Sequence, residues 1–293
     1  MFILYDQMKL FKDFMQISHL IDLALQEDVS TGDITTLAIF DSENDPIVDA
    51  HVVAKQEGIV CGIDFFIDTF KHIDPSLEIT VINSNGHKVN KGDRILELKG
   101  KSSSILTGER TALNFLGRLS GVATYTHQFV EKVAHTQAKI LDTRKTTPGY
   151  RLLEKFAVRI GGGTNHRVGL YDMVMIKDNH IDACGSIGKA IEKVQSYLKA
   201  HNKEQIKIEV EVKNTNELEQ ALEYSIDRLL LDNMSLAELK KCVEITAGRV
   251  ELEASGNVSL ETVAQIAETG VNYISVGAIT HSAPNFDFSM RIG

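Results

Sequence analysis

Cysteine is scarce in this chain. Three residues in 293, Cys61, Cys184 and Cys242, lie far apart, are odd in number and form no C-x-x-C. A disulfide frame and a cysteine zinc site are excluded, and a reducing, cytoplasmic setting is expected. Long apolar runs are absent too. No uncharged stretch approaches the ~20 residues needed to span a bilayer. The stretch from Met1 to Phe14 is broken by Asp6, Lys9, Lys12 and Asp13 and carries no small-residue cleavage signature. No membrane partner is expected. Basic residues are the minority, 31 against 40 acidic ones, for a net charge of −9. A general binder of nucleic acid or of an anionic surface calls for the opposite sign, so no nucleic-acid partner is expected. There is no Walker A, no G-x-S-x-G and no G-x-G-x-x-G after a strand, and the ten histidines show no metal-ligand spacing.

What is present is ordinary globular material, 43% apolar and 24% charged. At about 150 residues per domain the length suggests two domains or one large one. A chain of this size buries roughly three quarters of its unfolded surface.

Apolar spacing around Leu20–Leu25 reads as a helix over 18–27, with Ser18 as N-cap, followed by a polar loop over 28–36. From 47 to 106 the pattern is strand-like: Ile47–Lys55, Leu77–Ile82 and Arg94–Leu98, punctuated by Asn85-Gly86 and Lys91-Gly92-Asp93 and interrupted by one helix over 63–73. Residues 108–135 read as one long helix or two joined ones, with Gly117 and Gly121 as weak points. Strands then alternate with helices. Candidate strands are Lys139–Leu141, Met173–Ile176, Ile206–Val212, Arg228–Leu231, Val250–Leu252 and Tyr273–Val276. This alternation argues for an α/β fold with a parallel sheet or barrel. Six clear strands fall short of the usual eight, so either the barrel is a variant or a strand is hidden between Arg159 and Leu170.

The strand ends carry the chemistry. Each runs into polar residues: Asp142-Thr143-Arg144-Lys145, Lys177-Asp178-Asn179, Glu211 and Lys213, Asp232-Asn233, Glu253 with Ser255-Gly256-Asn257, and Gly277. In α/β barrels, side chains at the carboxyl ends of different strands converge on one site. Between Asp142 and His180 there are seven Lys and Arg against four Asp and Glu, a local balance of +3 in an acidic chain. Arg144-Lys145, His166-Arg167 and Lys177 therefore suggest a pocket for a small anion, arginine matching planar carboxylate or phosphate and lysine acting as a point charge. The bland alternative is a solvated basic surface. Gly161-Gly162-Gly163 ends an amphipathic helix over 151–160 and is either a ligand approach or a flexible loop. Ser255-Gly256-Asn257 and Gly277-Ala278 follow the last two strands, where such barrels hold phosphate on backbone N–H groups at a helix N-terminus. Glu211 and Asp232, at neighbouring strand ends, are candidates for one Mg²⁺ brought by a polyphosphate, or for ribose hydroxyls. Glu209 shares a face with Glu211, and alternation alone does not decide between them.

Several blocks together resemble the quinolinate phosphoribosyltransferase family: LQEDVSTGDITT (25–36), GERTALNFLGRLSGVAT (108–124), DTRKTTPGYRLLEK (142–155), GGGTNHRVGLYDMVMIKDNH (161–180), VEVKN (210–214), LLLDN (229–233), ELEASGN (251–257) and SVGAITHSAP (275–284). The resemblance implies an N-terminal α/β sandwich domain over 1–117, joined by the C-terminal tail 285–293, and an incomplete, seven-stranded α/β barrel over 118–284. It implies transfer of a phosphoribosyl group from phosphoribosyl pyrophosphate to quinolinate, with Mg²⁺, giving nicotinate mononucleotide, carbon dioxide and pyrophosphate in NAD synthesis. Carried over residue by residue, Arg110, Arg144, His166, Arg167 and Lys177 correspond to the quinolinate side. Lys145, Glu211, Asp232, Ser255, Gly256, Asn257, Gly277, Ala278 and His281 correspond to the phosphoribosyl pyrophosphate side. Of these, Lys145, Glu211 and Asp232 are the candidate catalytic residues. The family forms at least homodimers with shared sites, and Arg110 is then the partner subunit's contribution. Residues 1–17 extend beyond the family core and receive no role. The competing readings are a same-fold enzyme acting on nicotinate or another pyridine carboxylate, a Schiff-base aldolase using Lys177, and a non-catalytic binder of phosphorylated metabolites.

Overall fold

The computed structural model describes residues 16–40 and 44–293. Most of the N-terminal extension therefore lies outside the described residues. The chain forms two compact units, one up to Thr124 together with Pro284–Gly293, the other Tyr125–Ala283.

The first unit is built on an antiparallel sheet. Its strands are β1 (Ile47–Ala54), β3 (Glu78–Val81), β5 (Arg94–Lys101) and the C-terminal β12 (Phe288–Ile292), in the order β12-β1-β5-β3. A small ribbon pairs β2 (Gly58–Ile59) with β4 (Lys88–Val89). The helix Ile63–Ile73 forms as expected, and Asn85 supports its start by accepting from the N–H groups of Gly62 and Ile63 at 2.9 and 3.1 Å. It buries Phe66 and Phe70 in a core with Leu77, Ile95, Leu96 and Leu98. Burying each such side chain is worth about 1.5–3 kcal/mol.

Two local expectations change. Ser18 lies inside a helix that spans Gln16–Val29, and its hydroxyl contacts His72 Nε2 at 3.1 Å instead of capping. Part of the polar loop over 28–36 is helical: Asp33 caps Ile34–Ile39 by accepting from the Thr36 N–H at 3.1 Å. The long helix is a single one, Ser102–Val133. Its glycines are not weak points. A Cβ on Gly121 would stand 2.1 Å from the Pro284 carbonyl oxygen, and Phe286 donates its N–H to Gly117 O at 2.9 Å. These glycines let the returning tail lie against the helix backbone, and that tail then continues as β12 beside β1.

The second unit is a parallel sheet with helices between its strands. The strands are β6 (Lys139–Leu141), β7 (Val174–Ile176), β8 (Ile208–Val212), β9 (Arg228–Asp232), β10 (Glu251–Ser255) and β11 (Tyr273–Ser275), in the order β6-β11-β10-β9-β8-β7. Every residue of β8 is buried, as expected for a parallel strand covered on both faces. The six strands are those read from the sequence, with ends shifted by a few residues. The missing seventh is a single parallel bridge, Thr164 to Leu141, inside the interval 159–170. Thr164 donates to Ile140 O at 2.8 Å and accepts from the Asp142 N–H at 3.2 Å. The barrel is thus incomplete: six strands are continued at β6 by one bridge. Among the described residues, no helix is long and apolar enough to cross a membrane.

Candidate active site

The helix Arg151–Ile160 decides how the cationic loops are held. Its apolar side is Leu153, Phe156 and Ala157, yet Glu154 and Lys155 are buried as well. Glu154 accepts from the Thr147 N–H at 3.0 Å and from the Thr147 hydroxyl at 2.8 Å. Lys155 donates to Asp142 Oδ1 at 2.5 Å. Burial pushes the Asp142 carboxyl up and the Lys155 ammonium down, and each is the other's main counterweight. Arg151 reaches Thr146 Oγ1 at 3.0 Å and the Val168 carbonyl at 3.1 Å. The TRKTTPG loop is therefore anchored to the helix that follows it.

This scaffold leaves Arg144 and Lys145 exposed just beyond β6. Arg167 is half-buried; its guanidinium donates to Met173 O at 3.2 Å. Burial, and then the like charge of Arg144, lower its affinity for its proton. Lys177 follows β7 and stands 3.3 Å from Glu211 Oε2 at the end of β8.

Next come the acids and the glycine turn. Asp232 ends β9 opposite Ser255 of β10. The Asn233 N–H donates to Ser255 O at 2.9 Å, and Asn257 Nδ2 reaches Asn233 Oδ1 at 3.3 Å. Gly256 has φ +105°, and a Cβ there would stand 2.1 Å from Asn233 Oδ1. Only glycine lets these two turns nest. Gly277 packs against Lys145 and His281, and the Thr280 hydroxyl donates to Lys145 O at 2.7 Å. The end of β11 is thereby tied back to the TRKTTPG loop. The helices after β10 and β11 are short, Val263–Ala267 and Ala278–His281, and Gly277 stands at the N-cap of the second. Among Gly161–Gly163, a Cβ on Gly163 would meet Val158 and Thr126 at 2.8 Å, so close packing, not ligand approach, accounts for it.

The two glutamates of β8 separate by depth. Glu211 faces Lys177, whereas Glu209 lies two residues deeper and pairs with His166. His166 Nε2 lies 3.0 Å from Glu209 Oε2 and 3.4 Å from Glu253 Oε2, and its Nδ1 accepts from the Arg167 N–H at 2.6 Å. Arg228 completes the cluster at 2.9 Å from Glu253 Oε2, stacked 4.0 Å over the Tyr273 ring. Burial opposes a charge on His166, but Glu209 and Glu253 outweigh it and raise its pKa to about 9. Glu209 is itself pushed up to about 7 by burial and by Glu253. His166, Glu209 and Glu253 have the donor types of a cation site, but Arg228 already pairs with Glu253.

Sequence reasoning named His166, Glu209, Glu253 and Asp142 but not their pairings, and it passed over Arg228 and Lys155. The signal available was charge inside apolar strands: Glu209 and Glu253 each sit between apolar neighbours. Of the candidate residues, thirteen belong to the second unit, at strand ends, in the segment after the Thr164 bridge or in the short helix after β11; Arg110 belongs to the first, exposed on the helix Ser102–Val133.

Comparisons with known proteins show the family of the chain. The N-terminal domain of quinolinate phosphoribosyl transferase matches residues 33–120 and the C-terminal domain matches residues 122–291. A Nicotiana glauca protein named quinolinate phosphoribosyltransferase [decarboxylating] 2, mitochondrial, is 46% identical over 292 residues, covering 94% of this chain and 82% of that protein. A Bacillus subtilis protein named probable nicotinate-nucleotide pyrophosphorylase [carboxylating] is 41% identical, covering 95% and 94%. The solved nicotinate-nucleotide pyrophosphorylase of Francisella tularensis superposes with a TM-score of 0.90 at 42% identity, covering 95% and 96%. With both domain matches in register along one chain, the protein belongs to the quinolinate phosphoribosyl transferase family.

Proposed function

We propose that the protein transfers the phosphoribosyl group of phosphoribosyl pyrophosphate to quinolinate, with loss of carbon dioxide and pyrophosphate, to give nicotinate mononucleotide for NAD synthesis. One observation carries the reading: Lys177 after β7 stands 3.3 Å from Glu211 near the end of β8, and β8 pairs with β9, whose end carries Asp232.

Both substrates are anions, so the cations have to gather them. Arg144, Arg167 and Lys177, with His166 below, are the carboxylate side. Lys145, Asp232, the Ser255-Gly256-Asn257 turn, Gly277, Ala278 and His281 are the phosphoribosyl side. Orienting the pair replaces a bimolecular encounter. The quinolinate nitrogen supplies the electron pair to the ribose carbon, and the bond to pyrophosphate breaks. Positive charge develops on the ribose at that moment, and Glu211 and Asp232 are placed to stabilise it. The ring nitrogen of the adduct is then cationic, which eases loss of the adjacent carboxylate as carbon dioxide; a proton takes its place on the ring. No side-chain nucleophile is needed.

The donor set suits Mg²⁺ as substrate cargo. Mg²⁺ takes one or two carboxylates plus phosphate oxygens and keeps waters. Asp232 is half-buried and its carboxylate takes the Asn233 side-chain N–H at 2.9 Å, leaving other lone pairs open, while Glu211 bonds Lys177 through one oxygen. Glu211 and Asp232 would hold the ion, which neutralises charge on the departing pyrophosphate.

Arg110 lies exposed in the first unit, and we assign it to a site shared with a second copy in at least a homodimer. A cytoplasmic setting fits the three free cysteines, two of them buried. The test is a coupled assay. Pure protein is given quinolinate, phosphoribosyl pyrophosphate and Mg²⁺, with nicotinate in a parallel tube and a tube lacking Mg²⁺. Equal release of nucleotide and carbon dioxide from quinolinate alone, lost without Mg²⁺, supports the reading. Nucleotide from nicotinate without carbon dioxide overturns the substrate.

A further inference from the structure

Asp142 and Lys155 take no part in the array of strand-end charges, yet both are buried, at 0% and 1% exposure. Burying two charges is costly unless their remaining donors and acceptors are bonded. Here they are. Asp142 Oδ1 accepts from Lys155 Nζ at 2.5 Å and from the His166 N–H at 2.7 Å, and Oδ2 accepts from Asn165 Nδ2 at 2.6 Å. Lys155 Nζ also donates to the His166 carbonyl at 3.0 Å, and Asn165 Nδ2 to the Lys155 carbonyl at 2.9 Å. One ion pair thus grips both backbone polar groups of His166.

The position of this grip matters. Arg144 follows Asp142 by two residues, and Arg167 is the residue after His166. The two guanidinium groups repel each other, and that repulsion already weakens the hold of Arg167 on its proton, second only to burial. Like charges keep a set spacing only if their backbones are pinned. Two guanidinium forks on one pinned backbone can each take one carboxylate of a ligand that carries two.

We propose that Asp142 and Lys155 are positioning residues: by fixing the backbone of His166 against the end of β6 they set the spacing of Arg144 and Arg167, and so favour a vicinal dicarboxylate over a monocarboxylate. This rests on the assignment of Arg144 and Arg167 to the carboxylate side of the site. A merely structural pair would lower the melting temperature without discriminating between ligands.

The test uses the full chain as wild type, Asp142→Asn and Asn165→Ala. Steady-state kinetics give KM for each substrate and kcat. Calorimetry with phthalate and benzoate, without turnover, reads the spacing directly. Asp142→Asn should raise the quinolinate KM about tenfold, the loss of one charge-assisted hydrogen bond. The phosphoribosyl pyrophosphate KM should change by less than about twofold, and the preference for phthalate over benzoate should fall by about the same tenfold. Asn165→Ala, which keeps the ion pair, should move both readings the same way by about threefold, and it carries the test should Asp142→Asn not fold. Equal shifts in both KM values, or a lower melting temperature with the phthalate preference intact, would overturn the proposal. A wild type that prefers phthalate but does not turn over quinolinate overturns the reaction instead and leaves the spacing supported.

Discussion

Lys177 Nζ lies 3.3 Å from Glu211 Oε2, so a cation after β7 and a carboxylate at the end of β8 face each other before any substrate arrives. The lysine is half-exposed and the glutamate largely buried, which keeps the contact modest in energy but places it between the two substrate sides. Removing either partner should show in a different constant. Lys177→Met should raise the quinolinate KM on the order of tenfold or more. Glu211→Gln should leave the quinolinate KM near its original value and lower kcat on the order of a hundredfold. Wild-type kcat in Glu211→Gln would take Glu211 out of the chemistry.

Arg144 is exposed beyond β6 on a loop that Arg151 and Glu154 hold from below. If its fork meets a substrate carboxylate, Arg144→Lys loses the bidentate match. Quinolinate kcat/KM should drop on the order of tenfold, and unchanged kinetics would remove Arg144 from the site.

The imidazole of His166 faces Glu209, Glu253 and, through Glu253, Arg228. Its pKa is raised from 6.5 to about 9. A raised pKa adds stability that is fully present below the unfolded value and is lost as pH rises through the folded one. Glu209, pushed up to about 7, is ionised over most of that upper range. Denaturant midpoints should therefore fall between about pH 7 and pH 10, and more steeply in wild type than in His166→Gln. Parallel curves for the two proteins would contradict the raised pKa of His166.

Gly256 has a positive φ and no room for a methyl group beside Asn233. Gly256→Ala should cost about 1–3 kcal/mol in strain. Displacing Asn233 also moves Asp232, so the phosphoribosyl pyrophosphate KM should rise more than the quinolinate KM. A variant that melts lower with both KM values unchanged would leave the turn a folding element alone.

Arg110 and Lys145 belong to different units. If Arg110 serves a neighbouring copy, Arg110→Ala and Lys145→Ala chains, each inactive alone, should regain activity on co-refolding, because a mixed dimer holds one intact site. Up to about a quarter of wild-type activity is the statistical expectation if both chains mix freely and each site acts alone. No recovery would count against sharing.

Much of this molecule could be read from local pattern. The six parallel strands stood out because parallel strands are apolar runs bounded by polar ends, and the helix Arg151–Ile160 because its apolar residues recur on one side. The Thr164 bridge could not be read that way, since one paired residue has no periodicity. Nor could the short helix after Asp33, where a single cap overrides a loop-like composition. Gly117 and Gly121 misled for a related reason: glycine weakens an isolated helix, and only the tail at Pro284–Phe286 shows what the missing side chains admit.

The residue types at the strand ends, and so the excess of cations facing two acids, were determined by the sequence alone. Which of two similar charges does which task was decided only by tertiary structure. Glu209 and Glu211 are equivalent by alternation, but one depth along β8 meets His166 and the other meets Lys177. Lys155 looks like any helical lysine until Asp142, thirteen residues earlier, is folded onto it. Sequence spacing records which face a side chain takes, whereas the partner that makes a buried charge tolerable comes from elsewhere in the chain, and only packing brings it there.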